Sequence, residues 1–261
     1  MLRKAKLKAA SAVAALFLVL GGLPHHKALA AEHVDLALAL VADVSGSVDE
    51  HRFRLQRDGY AAALMSADVL RAIAGGPSGA IALAFIEFAG PNDQKVVVDW
   101  TMLRDAESAA IVADLIRSEP RSFHGGTAIG AAIDFTAARF AVRDIEADRR
   151  VIDVSGDGTN NDGPPVTRAR DDTVAAGITI NGVAILSPEG LDMHTNPRGG
   201  LLAYYQAEVV GGPGAFAVAA ESLSAFVHVI ENKLIREIAG DSGPRGHAQA
   251  MPAGDLADGL R

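Results

Sequence analysis

The stretch VDLALALVADVSGSVDE, residues 34–50, decides how the chain folds. Its apolar run from Leu36 to Ala42 stops at Asp43-Val44-Ser45-Gly46-Ser47, and a helix-like pattern begins just afterwards. A short buried strand, a tight polar turn and a helix make the opening of an α/β unit. In open α/β sheets ligands bind at the carboxyl ends of the strands, and this turn occupies such an end. It offers one carboxylate and two hydroxyls on alternate residues, oxygen donors suited to a hard cation such as Mg²⁺. Ser47-Val48-Asp49-Glu50 also fits a helix capping box, with Ser47 as N-cap and Glu50 at the third helical position, which needs no metal at all.

Two later segments bear on that choice. Ser122-Phe123-His124-Gly125-Gly126-Thr127 ends in a hydroxyl at the mouth of a helix, with two glycines to free the backbone before it. No Gly-Lys-Ser/Thr follows and G-x-G-x-x-G is absent, which argues against a nucleotide. Arg150-Val151-Ile152-Asp153-Val154-Ser155-Gly156-Asp157-Gly158 is a second strand ending in an acid. If both strands are parallel and adjacent, Asp43 and Asp157 share one sheet edge. Asp153 interrupts what should be a central strand and reads as a buried acid satisfied by hydrogen bonds.

Asp43-x-Ser45-x-Ser47, Thr127 after Gly-Gly, and Asp157 in a strand-end Gly-Asp-Gly together resemble the metal-ion-dependent adhesion site of von Willebrand factor A domains. The resemblance runs from about Val34 to Gly240. DVSGSVD, VIDVSGDGTNNDG and GGPGAFAV are similar to a group of exported bacterial A-like domains of unassigned function. The polar Asp153 and the long connection from Ser187 to Gly200 depart from better-known members. The resemblance implies a doubly wound, mostly parallel sheet, and Mg²⁺ or Mn²⁺ held by Ser45, Ser47 and Thr127, with the two aspartates acting mostly through water. It also implies a protein partner that offers an Asp or Glu carboxylate to the ion.

The flanking segments set the context. Arg3, Lys4, Lys6 and Lys8 precede an apolar run from Ala9 to Leu23, and Ala28-Leu29-Ala30 supplies small residues for a signal peptidase. That run is shorter than the roughly 20 residues of a membrane span. Residues 1–30 therefore read as a cleaved signal peptide, leaving no membrane anchor on an exported protein, periplasmic or secreted. Removing these residues takes five basic side chains and no acid, so the formal net charge moves from −8 to −13. Such a chain is a poor candidate for nucleic acid or anionic lipid. With no cysteine there are no disulfides, thiolate metal sites or cysteine nucleophiles.

Between these landmarks the pattern alternates. One helix is predicted from Asp49 to about Ala74, with Phe53, Gln56, Arg57, Tyr60 and Leu64 on one face, ended by Gly75-Gly76-Pro77-Ser78-Gly79. A central strand over 80–89 contains the charged Glu87, and Val96 to Trp100 reads as an antiparallel edge strand after a turn. Helices follow over 103–118, after Thr127, over 166–176, over 201–210 and over 221–238, and strands over 178–186 and 215–219. Alternating strands and helices predict one domain, residues 31–240, as an open sheet covered on both faces. The tail 241–261 has no periodicity and is expected to be disordered.

The candidate metal set is thus Asp43, Ser45, Ser47, Thr127 and Asp157. Its neutral hydroxyls leave a divalent ion electrophilic, which favours capture of a partner carboxylate over catalysis. Partner contacts are assigned to Asn160, Asn161, His194 and Arg198, on loops expected at the same edge. The alternative is a metal-assisted hydrolase of phosphoester or acyl groups. That would need a general base, and His124 is the only imidazole near the motif in sequence.

Overall fold

The computed structural model describes residues 32–141, 145–186, 199–221 and 223–240. The expected signal peptide, the tail, and His194 and Arg198 lie outside these residues. The strands are β1 (His33–Asp43), β2 (Ile81–Phe88), β3 (Gln94–Leu103), β4 (Glu146–Gly156), β5 (Thr179–Ile185) and β6 (Ala217–Ala220). They form one sheet in the order β3-β2-β1-β4-β5-β6. β1 pairs parallel with β2 and β4, β4 with β5, and β5 with β6, while β3 alone runs antiparallel at the edge. The predicted doubly wound sheet with one antiparallel edge strand is the one observed.

β1 is central because both of its faces are apolar. Leu36, Leu38 and Leu40 point into a core closed by α1 (Glu50–Leu64), α2 (Ala67–Ala74), α3 (Ala106–Ser118) and α7 (Leu223–Ala239). Ala39 and Val41 point into the opposite core, under α4 (Ile129–Arg139), α5 (Val166–Ala175) and α6 (Leu201–Tyr204), which continues as a π-helical turn over Tyr205–Val209. A strand buried on both faces needs no polar alternation, which is why the run from Leu36 to Ala42 reads as continuously hydrophobic. On the first face Tyr60 sits edge-on to Phe85 and Phe226, with ring centroids 5.3 and 5.4 Å away. Gly59 beside it lets α7 approach, since a Cβ there would lie 2.5 Å from the Phe226 ring.

The single helix expected over 49–74 is two. Ser66 ends the first and caps the second, its Oγ accepting a bond from Val69 N at 3.2 Å. Serine competes for backbone donors in this way, so it favours a cap over a helix interior. Glu87 and Asp153, fully buried charges inside central strands, are each met by a helix. Glu87 on β2 pairs with Arg57 of α1, both buried. Asp153 on β4 is held by an ion pair rather than by hydrogen bonds, with Lys233 Nζ of α7 at 2.7 Å. Lys233 also bonds Glu237, whose Oε1 accepts from Asn181 Nδ2 at 2.6 Å. Among the described residues no helix is long and apolar enough to cross a membrane.

Candidate metal centre

The register puts the carboxyl ends of β1 and β4 side by side, with Val41 opposite Val154 and Ala42 opposite Ser155. This is also where the winding of the sheet reverses, since β2 lies on one side of β1 and β4 on the other. A crevice outside such a switch point is where open sheets bind ligands. Asp43 ends β1, and Asp157 follows β4 directly.

The capping alternative for Ser47 does not hold. The N-cap of α1 is Asp49, whose carboxylate accepts from Arg52 N at 2.8 Å. Ser47 is thereby released toward the crevice, where its Oγ donates to Asp157 Oδ1 at 2.6 Å. Ser47 Oγ and Ser45 Oγ are 3.2 Å apart, and Thr127 Oγ1 donates to Ser45 Oγ at 3.0 Å. Asp43 Oδ1 accepts from Ser45 N at 2.8 Å. The five side chains named from the sequence therefore form one connected cluster, buried at Asp43 and exposed at Ser47.

Neither glycine before Thr127 has a positive φ; Gly126 is held by space, whereas a Cβ on Gly125 would meet nothing closer than 3.8 Å. A Cβ on Gly126 would come within 3.1–3.2 Å of Asp162 and Asn161, and one on Gly46 would come within 3.3 Å of Gly125 O. Close approach binds the loops together: Gly46 N donates to Gly125 O at 2.9 Å, and Thr127 N to Asn161 Oδ1 at 2.8 Å.

Arg121, which sequence reasoning passed over, is the clasp of the centre. Its guanidinium donates to Val44 O and Ser45 O at 2.6 and 2.5 Å, to Val48 O at 2.5 Å, and through Nε to Phe123 O at 2.9 Å. One side chain thus ties the β1–α1 turn to the loop that carries Thr127. Arg52 was also not singled out; its Nη1 lies 3.4 Å from Asp157 Oδ2. No pattern in the sequence distinguishes either arginine from a solvated surface charge.

The electrostatics fit a cation. Burial, and then the charge of Asp157, push the Asp43 carboxyl up to about 7 from 3.8, against the pull of the Ser45 bonds and Arg121. Asp43 Oδ2 is buried with no hydrogen-bond partner. Two carboxylates and three hydroxyls with one carboxylate oxygen unsatisfied are a donor set for a hard, oxygen-seeking ion. Among the described residues no group of three His, Asp or Glu side chains gathers as a metal set, so the hydroxyls are essential to this assignment.

The partner residues divide. Asn160 Oδ1 accepts from Gly130 N at 3.0 Å, and its Nδ2 donates to Asp162 O and Pro164 O at 3.1 and 3.2 Å, so both ends of the amide serve the loop. Asn161 uses its Oδ1 on Thr127 N and is otherwise exposed. His124 is exposed.

A family model described as "Protein of unknown function (DUF1194)" matches residues 33–242. The chain belongs to that family. The DUF1194 domain here has the architecture of von Willebrand factor A-type proteins. It superposes on the pilus adhesin SpaC from Lactobacillus rhamnosus GG in its open conformation with a TM-score of 0.58 at 15% identity, over 78% of this chain and 30% of that one. A von Willebrand factor type A structure from Catenulispora acidiphila gives 0.54 at 14% identity, over 78% and 43%. Proximal thread matrix protein 1 from the mussel byssus, described with a zinc-occupied MIDAS motif, gives 0.55 at 15%, over 80% and 49%. The DUF1194 chain spans about half or less of the length of these three proteins. No curated protein matches it.

Proposed function

We propose that this DUF1194 protein is an exported, divalent-cation-dependent protein-binding module. The observation that carries the proposal is the connected cluster of Asp43, Ser45, Ser47, Thr127 and Asp157 at the switch point, with a buried carboxylate oxygen left without a partner. Ser45, Ser47 and Thr127 would hold Mg²⁺ or Mn²⁺, with Asp43 and Asp157 neutralising it. When bound, the ion supplies an electrophilic position for a carboxylate oxygen of a partner's Asp or Glu. Ser47, exposed at the rim, marks the side from which that carboxylate enters. Asn161 would add a hydrogen bond there, with His194 and Arg198 contributing from the 187–200 connection, while Asn160 keeps the loop in shape. The basic n-region, short apolar run and Ala28-Leu29-Ala30 support export through a cleaved signal peptide. For the hydrolase alternative, no imidazole among the described residues hydrogen-bonds to the cluster to act as general base.

The test is capture from an envelope fraction on immobilised protein with Mg²⁺ or with EDTA. A partner retained in Mg²⁺, released by EDTA and lost with Thr127→Ala is the expected result. Equal capture in EDTA would overturn metal dependence, and turnover of a generic ester or phosphoester that vanishes with Asp43→Ala would favour the enzyme.

Arg52 gives a further check on the electrostatics. Its guanidinium beside Asp157 competes with any cation for that carboxylate. Arg52→Gln is expected to tighten Mg²⁺ binding by roughly tenfold at low salt, and by less at high salt where the repulsion is screened. Weaker binding would mean that Arg52 serves instead to orient Asp157.

A further inference from the structure

At the opposite end of the sheet the strands are unequal. β4 pairs with β1 from Glu146 onward, but its pairing with β5 begins only at Val151 opposite Thr179. Residues 146–150 thus have a neighbouring strand on one side and none on the other. That notch opens into a cleft of about 540 Å³, lined among others by Arg149, Arg150, Phe216, Arg236, Glu237 and Gly240. The volume falls within the roughly 300–1,000 Å³ of small-molecule sites.

The lining is unusual for so acidic a chain. Arg149 is committed to the end of α7, donating to Glu237 O at 2.5 Å and Ile238 O at 2.7 Å. Arg150 and Arg236 are exposed, and no acidic side chain among the described residues pairs with either. The Arg236 guanidinium is laid over the Phe216 ring, 3.7 Å from its centroid. Stacking fixes the plane of the guanidinium and leaves its in-plane N–H groups available, the arrangement that favours bidentate contact with carboxylate or phosphate. The other polar groups of the wall are engaged. Asn181 donates to Glu237 and accepts from Phe216 N at 3.0 Å, and Thr179 Oγ1 donates to Pro213 O at 3.4 Å. Glu237 turns its Oε1 to Lys233 and Asn181, and Asp148, also on the wall, faces His33 at 3.0 Å.

We propose that this cleft is a second ligand site, binding a small molecule that carries a carboxylate or phosphate group through Arg236. On the cleft wall Arg150 lies six positions before Gly156 along β4, about 20 Å of strand, so the site is independent of the metal centre. The Arg236 guanidinium supplies the anion contact, held in place by the Phe216 ring beneath it.

The experiment is calorimetric titration of the metal-free protein, at constant ionic strength set with chloride, using inorganic phosphate in one arm and succinate in the other. Saturable binding of at least one probe is expected, and which one binds identifies the anionic group. Arg236→Gln should weaken that binding by about tenfold or more, with Mn²⁺ uptake unchanged. The proposal is overturned if neither probe binds above the chloride background, or if Arg236→Gln binds as the wild type does. Either result leaves the metal reading untouched, because Mn²⁺ uptake is measured separately.

Discussion

Replacing Asp43 with asparagine is expected to stabilise the metal-free protein, by up to about 4 kcal/mol at pH 8, and to remove its response to divalent cations. Burial and the Asp157 charge raise the Asp43 carboxyl from 3.8 to about 7. A folded-state value above the unfolded one means that the protonated form is the one the fold favours. Stability is therefore complete below about pH 4 and declines as pH rises through about 7. Asparagine keeps the oxygen that accepts from Ser45 N and carries no charge, so it escapes that decline. Urea unfolding in EDTA at several pH values would show it: the wild type weakens toward pH 8, and Asp43→Asn weakens less, keeping only the decline that the raised Glu237 carboxyl contributes. If the variant is less stable at pH 8, the buried carboxylate is better solvated than its surroundings imply. A site that destabilises its own fold until a cation arrives is what a binding centre predicts, since function and stability compete for the same residues.

The second large effect lies in the core. Lys233→Met is expected to cost about 3–5 kcal/mol at pH 8, because it leaves Asp153 and Glu237 buried without their shared cation. Burial, together with the Asp153 charge, holds the Glu237 carboxyl up at about 7 even with Lys233 beside it. Below that value Glu237 takes a proton and one of the two stranded charges disappears. The cost should then be much smaller at pH 5. Denaturant unfolding at both pH values decides between charge and packing: an equal cost at pH 5 and pH 8 would mean that the lost contacts of the lysine chain matter more than its charge.

Asp153 and Lys233 also show what the sequence conceals. The acid is visible as an interruption in a strand, and its need for a partner follows from desolvation, but the partner is eighty residues away in sequence, on α7. Long-range pairs of this kind leave no local pattern. The metal centre is legible for the opposite reason. Asp43, Ser45 and Ser47 share one turn, Thr127 and Asp157 each follow a recognisable local signal, and parallel strands then bring the three segments to one edge. Between these extremes stand Ser47 and Arg121. Ser47 fits two local motifs, and only the capture of Arg52 N by Asp49 decides between them. Arg121 acts on four carbonyls from a loop that has no regular spacing. The break at Ser66 was within reach, since a serine followed by Ala67-Asp68-Val69 is a helix start in its own right.

The proposed function depends on a divalent ion binding to Asp43, Ser45, Ser47, Thr127 and Asp157, gathered from the ends of β1 and β4 and the loop before α4. Titration with Mn²⁺, followed by the electron paramagnetic resonance signal of the free ion, tests it without needing the partner. Wild-type protein should take up one Mn²⁺ per chain, in competition with Mg²⁺, and Asp43→Ala and Thr127→Ala should each lose that uptake while remaining folded. No uptake by the wild type, or undiminished uptake by both variants, would contradict it.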